Sequence, residues 1–109
     1  MTKSWQAEGN VQGVMFRQTF IRAAIHRGLH AGATNTSNHD IVTFTIEGKD
    51  DAVKDFVNQI ETLTELNSWG AHTDTVTELS DVVPFTEHQV TTENVDEFEW
   101  SPGVAFFLK

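Results

Sequence analysis

Residues 9–17 hold the side chains and the spacing in this sequence that best suit a chemical task, the binding of an anion. The run reads Gly-Asn-Val-Gln-Gly-Val-Met-Phe-Arg, so two glycines bracket a short loop, and an amphipathic helical pattern begins where the loop ends. Such a loop can turn several backbone N–H groups toward one anion, with the positive end of the helix dipole behind them. Arg17 adds a guanidinium, which can contact two phosphate oxygens at once. The run therefore predicts a phosphate-binding loop.

The overall charge of the chain opposes anion binding. Seven Lys and Arg residues face 16 Asp and Glu residues, which gives a formal net charge of −9. A field of this sign repels nucleic acids and anionic membrane surfaces, so we expect neither as a partner. Local geometry must then hold any phosphate, which strengthens the case for a dedicated loop.

The composition bounds the class of protein. The 109 residues suit a single domain, residues 1–109, and the absence of cysteine excludes disulfides, thiolate metal sites and cysteine nucleophiles. No apolar run is long enough for a membrane span or a signal peptide. We expect a cytoplasmic protein that acts as a monomer.

Hydrophobic periodicity indicates the elements that position the loop. Residues 4–10 alternate weakly as a first strand, and a helix begins at Phe16 and ends near Gly28, a suitable left-handed cap. Residues 30–37 and 41–47 predict a hairpin. Asp50 is a natural N-cap for a second helix, and residues 71–79 have strand composition. This β-α-β-β-α-β order predicts an α+β, ferredoxin-like fold with two helices on one face of an antiparallel sheet.

The segment after Ser80 is longer than a compact domain normally leaves without structure. Residues 81–102 mix apolar pairs with acidic turns, and we expect an extra strand around residues 87–92 or a flap. Residues 104–108 are densely apolar and predict a last strand that returns to the sheet.

The run from Gly9 to Arg17 resembles the acylphosphatase signature, glycine-any-valine-glutamine-glycine-valine-any-phenylalanine-arginine, at every specified position. Members of that family carry an asparagine on the second strand, eighteen residues after the signature arginine, and this chain has Asn35 there. The resemblance covers about residues 4–79 and, loosely, the final strand. It departs at residues 31–34, Ala-Gly-Ala-Thr, whose small side chains are expected to weaken the packing of that strand.

The resemblance implies an enzyme that hydrolyses a small-molecule acyl phosphate to a carboxylate and inorganic phosphate, without metal or cofactor. It implies that Arg17 and Asn35 are the catalytic residues, the first binding phosphate oxygens and the second orienting the attacking water. The implied phosphate-binding residues are those of the loop: Gly9, Asn10, Val11, Gln12, Gly13, Val14 and Met15.

Structural alternatives stand beside these assignments. Arg17 alone would be an ordinary cation at a helix start, and Asn35 alone a strand or turn residue. A non-catalytic acylphosphatase-like module that binds an anion or a protein is the alternative function, and a detached version of the carbamoyl-phosphate-handling domain of larger maturation proteins is a related one.

The histidines and aromatic residues are expected to be structural. His26 and His30 lie four residues apart, but Gly28 separates them and no carboxylate supports a metal site. The remaining histidines are predicted to be exposed: His39, His72 and His88. Two tryptophans, Trp69 and Trp100, are predicted to be half-exposed, and one of them to border the site. The aromatic core is predicted to comprise Trp5, Phe16, Phe20, Phe44 and Phe56.

Overall fold

The computed structural model describes all 109 residues, which form two α-helices and five strands. The elements in chain order are β1 (Thr2–Asn10), α1 (Phe16–His26), β2 (His30–Asn35), β3 (Ile41–Glu47), α2 (Asp50–Thr62), β4 (His72–Glu78) and β5 (Val90–Thr91). The strands pair antiparallel in one sheet with the order β4-β1-β3-β2-β5. This arrangement confirms the predicted α+β, ferredoxin-like fold.

The aromatic core lies between the sheet and the two helices. The ring of Phe20 on α1 lies 4.9 Å from that of Phe44 on β3 and 5.5 Å from that of Phe56 on α2, so three elements meet at one side chain. Aromatic pairs in this distance range add about 0.5–1.5 kcal/mol beyond the burial of their surface. All five predicted core aromatics are buried, which confirms that prediction. Neither helix is long and apolar enough to cross a membrane.

The helix ends show one correct prediction and one error. Gly28 has φ +71°, and the N–H of Leu29 donates to the carbonyl of Ala24, as expected for a left-handed cap after α1. The N-cap of α2 is Lys49, so the prediction of Asp50 was wrong by one residue. Asp50 instead lies in the first turn, where the helix dipole stabilises its charge, 3.5 Å from the amino group of Met1.

Residues 80–98, here called the crossing segment, follow β4 at one edge of the sheet and include β5 at the other edge. The segment covers the face of the sheet that the helices leave free. The N–H of Val83 donates to the hydroxyl of Ser4 on β1 at 2.8 Å, and the hydroxyl of Thr45 on β3 donates to the Val83 carbonyl at 2.8 Å. The predicted extra strand exists as β5, which pairs with Gly32 and Ala33 on β2.

His88 anchors the crossing segment, and the prediction that it is exposed was wrong. Its side chain is buried, with Nδ1 2.8 Å from the hydroxyl of Thr34 and Nε2 2.7 Å from that of Thr45. Gly32 gives it room, because a Cβ at that position would lie 2.8 Å from His88 Cδ2. Gly32 therefore accommodates the crossing segment, whereas Ala31 and Ala33, which alternate with it along β2, are fully buried in the core.

Residues 104–108 do not form the predicted last strand, and that prediction was wrong. They lie instead against the loop between α2 and β4, where the N–H groups of Phe107 and Leu108 both donate to the carbonyl of Leu66. One isolated bridge joins Asn67 to Phe106. The apolar character of the segment reflects the burial of Val104 and Leu108, whereas the edge position in the sheet is taken by β5.

Candidate active site

A cavity of about 260 Å³ lies where the loop before α1, the end of β2 and the crossing segment meet. Arg17 and Asn35 both line it, so the fold brings together the two residues to which the resemblance assigns catalytic roles. Three loop residues line it as well: Val11, Gly13 and Met15.

The backbone of the loop presents a run of free N–H groups. Gly13 has φ +75° and Met15 has φ +61°, so left-handed residues alternate with others and the chain curls. None of the N–H groups of residues 11–15 donates to a protein acceptor. Helix α1 begins directly after them at Phe16, and its first N–H groups also point out of the helix end. Such a concave run of donors at a helix N-terminus suits an anion.

Two buried or partly buried amides hold the loop from outside. Gln12 Nε2 lies within 3.0 Å of the carbonyl oxygens of Thr36, Asn38 and Ile41, which ties the loop to the β2–β3 turn. Asn67, which is fully buried, donates to the carbonyl of Val14 at 2.8 Å. Gln12 and Val14 thus shape the loop without lining the cavity. Asn67 was missed by the sequence reasoning, because a single asparagine in a loop carries no pattern.

Arg17 carries the one positive charge in the cavity. Its Nη1 donates to Oε1 of Gln89 at 2.9 Å, and no carboxylate oxygen lies within 4.0 Å of its guanidinium. Burial lowers the pKa of Arg17 below its ordinary value. An arginine side chain nevertheless stays charged at neutral pH. Although the chain contains 16 acidic residues, the guanidinium of Arg17 forms an ion pair with none of them.

Asn35 ends β2 at the same cavity. Its backbone N–H donates to Oε1 of Gln89 at 3.0 Å, so Asn35 and Arg17 share one acceptor. Its side-chain Oδ1 is buried and has no hydrogen-bond partner in the protein. A buried acceptor without a donor costs about 1–3 kcal/mol, and it is available to a water molecule or a ligand.

The rest of the cavity wall is largely apolar. Trp69 and Phe98 are 45% and 40% exposed and line the cavity together with Val90. The prediction that a half-exposed tryptophan borders the site is confirmed for Trp69. Glu99 is the one carboxylate on the wall.

Gly9 and Asn10 lie outside this cavity. Gly9 sits at the irregularity in the β1–β4 pairing, where a Cβ would lie 2.5 Å from the carbonyl oxygen of His72. Asn10 Nδ2 donates to the carbonyl of Gly70 at 3.1 Å. Both residues face a separate depression with Asp40 and Asp74, whose charges oppose anion binding.

The paired histidines of the sequence lie on different elements. His26 belongs to the last turn of α1, whereas His30 begins β2 and stacks on Phe85 with ring centroids 3.8 Å apart. No group of three or more His, Asp or Glu side chains is placed to hold a metal ion.

Comparison with known proteins gives one family and one fold. The acylphosphatase family model matches residues 3–99, which includes the crossing segment and so extends beyond the resemblance seen in residues 4–79. A search of curated protein sequences finds no match.

Three solved structures share the fold. The crystal structure of acylphosphatase from Bacillus subtilis has a TM-score of 0.56 and 24% identity, over 80% of this chain and 90% of that one. An acylphosphatase from Coxiella burnetii has a TM-score of 0.53 and 20% identity, over 78% and 87%. Full-length HypF in its phosphate- and nucleotide-bound form has a TM-score of 0.56 and 22% identity, over 82% of this chain but only 11% of HypF. With the family model covering most of its length, the chain belongs to the acylphosphatase family.

Proposed function

We propose that this protein is an acylphosphatase that hydrolyses the carboxyl–phosphate anhydride bond of a small acyl phosphate, without metal or cofactor. One observation carries the proposal: a curled run of free N–H groups, an unpaired guanidinium and an unpartnered amide oxygen meet in one cavity. Family membership supports the same reaction.

The reaction needs no covalent bond between the protein and the substrate. Water attacks phosphorus, the bond from phosphorus to the acyl oxygen breaks, and the leaving group departs as a carboxylate that needs no proton. The proton of the water passes to a phosphoryl oxygen of the substrate itself, because an asparagine is no base at neutral pH. Catalysis then depends on positioning and on electrostatic stabilisation of the phosphoryl group.

Each residue has a role in this reaction. The N–H groups of residues 11–15 and the guanidinium of Arg17 bind the phosphoryl oxygens and stabilise their charge in the transition state. Asn35 Oδ1 accepts a hydrogen bond from the attacking water and so aligns it with the bond that breaks. Gly9 and Asn10, which lie outside the cavity, shape the start of the loop.

The apolar wall offers a place for the acyl group. Trp69 and Phe98 present aromatic surface beside the phosphate-binding loop. Benzoyl phosphate is therefore a suitable test substrate, since its ring can contact this surface while its phosphate occupies the loop.

Phosphate release from benzoyl phosphate tests the proposal when it is measured with and without a chelator. Removing the guanidinium in Arg17→Ala should lower kcat/KM by roughly 10²-fold or more, as for the loss of an oxyanion-hole donor. Asn35→Ala should lower kcat, because the water loses its acceptor. Arg27→Ala and Asn58→Ala are the matched controls, since Arg27 pairs with Asp55 and Asn58 is exposed on α2, both outside the cavity.

Three results would contradict the proposal. Near-normal turnover by Arg17→Ala would contradict the assignment of Arg17 as a phosphate ligand. Turnover that a chelator abolishes would contradict a metal-free reaction. Phosphate binding by the wild type without any turnover would favour the alternative, a non-catalytic anion-binding module.

A further inference from the structure

We infer that Gln89 is a positioning residue of the site, which holds Arg17 in place through a neutral acceptor and leaves its charge for the phosphate. The inference rests on the proposed function. One oxygen carries it: Oε1 of Gln89 accepts from Arg17 Nη1 at 2.9 Å and from the backbone N–H of Asn35 at 3.0 Å. A single side chain therefore links the two halves of the cavity.

The backbone of Gln89 is held firmly enough for this task. Its N–H donates to the hydroxyl of Thr34 at 3.0 Å, and its carbonyl accepts from Asn94 Nδ2 at 3.3 Å. The residue before it is the buried His88, and the residue after it is Val90, the first residue of β5. Although the side chain of Gln89 is exposed, its backbone is thus held in place by hydrogen bonds and by the buried residues before and after it.

Orientation matters because an arginine side chain has many rotamers. Freezing them on substrate binding costs free energy, so a partner that fixes the guanidinium beforehand improves both binding and alignment. Gln89 engages one Nη1–H, while the guanidinium has five N–H donors in all. Donors therefore remain for a bidentate contact to phosphate.

The neutrality of Gln89 is as important as its position. Acidic residues are frequent in the crossing segment, which contains Glu87 and Glu93 on either side of Gln89. A carboxylate at position 89 would form an ion pair with Arg17 and would repel the incoming phosphate. An amide supplies the same acceptor geometry without that competition.

Two substitutions separate orientation from charge. Gln89→Leu removes the acceptor and leaves Arg17 charged but unheld, so kcat for benzoyl phosphate should fall about 10-fold while the affinity for inorganic phosphate changes less. Gln89→Glu keeps an acceptor but neutralises the cation, so the dissociation constant of phosphate should rise by an order of magnitude or more. Gln59→Leu on α2, whose side chain makes no hydrogen bond, is the matched control.

Phosphate binding is measured by calorimetry and turnover by phosphate release, and urea unfolding checks that each variant is folded. The inference is overturned if Gln89→Leu keeps the kcat of the wild type, or if both variants lose phosphate affinity equally. A wild type that binds phosphate but does not hydrolyse benzoyl phosphate would defeat the proposed function alone, since a smaller loss of phosphate affinity in Gln89→Leu than in Gln89→Glu would still separate orientation from charge.

Discussion

Acid should destabilise this protein through His88. The hydroxyl of Thr45 must donate to the carbonyl of Val83, so it can only accept from His88 Nε2, and Nδ1 then accepts from Thr34. These bonds fit the neutral ring, and no carboxylate lies within 4.0 Å to stabilise a charged one. Burial accordingly lowers the pKa of His88 from 6.5 to about 4.

The direction of the effect follows from these two values. The unfolded chain, with a histidine pKa near 6.5, takes up the proton first, so the contribution of His88 is complete above pH 6.5 and is lost as the pH falls toward 4. At about 1.4 kcal/mol per pH unit, the loss amounts to about 3 kcal/mol over this range.

Urea unfolding between pH 7 and pH 4, followed by tryptophan fluorescence, to which the buried Trp5 contributes, measures this loss. His88→Gln has no such titration, so its stability relative to the wild type should improve by about 3 kcal/mol from pH 7 to pH 4. His39→Gln, in the exposed β2–β3 turn, is the matched control. A difference between His88→Gln and the wild type that does not change with pH would refute the reasoning.

Three further substitutions have defined outcomes. Gly32→Ala should reduce the free energy of unfolding by about 1–3 kcal/mol, because its Cβ would crowd the ring of His88 at 2.8 Å, and an unchanged urea midpoint would show that the ring moves freely. Asn67→Ala should reduce the free energy of unfolding by about 2 kcal/mol or more, and should weaken the inhibition of hydrolysis by phosphate, since the carbonyl of Val14 loses its donor. Unchanged inhibition would show that the loop keeps its shape without Asn67. Phe98→Ala should raise KM for benzoyl phosphate by on the order of 10-fold and leave that for acetyl phosphate nearly unchanged, and equal changes for both substrates would place the acyl group elsewhere.

Local patterns in the sequence predicted most of the fold. The two helices, β1 and β3 follow from periodicities of 3.6 and 2 residues, and β2 and β4 follow from residue composition. The observed bounds of these elements differ from the predicted ones by at most about two residues. The loop and Arg17 were found because they are contiguous. Their proximity to Asn35 followed from the order of the elements.

The missed features depend on contacts between distant residues. A dense apolar run such as residues 104–108 indicates burial, but it does not say whether the segment pairs with a sheet or packs on a loop. His88 and Gln89 are single polar residues without periodicity, and their roles appear only when they meet Gly32 and Arg17. Gly32 was the available signal, since a glycine within a strand often marks a close approach by another part of the chain.

The bond between Gln89 and Arg17 also sets an order of events during synthesis. The two residues are 72 positions apart, so at ribosomal rates of about 5–20 residues per second the loop before α1 and Arg17 are made roughly 4 to 14 s before Gln89. A nascent chain that has already formed the first hairpin and both helices therefore has the loop before α1 but not the residue that holds Arg17. The site that we propose for phosphate is complete only when the crossing segment packs on the free face of the sheet.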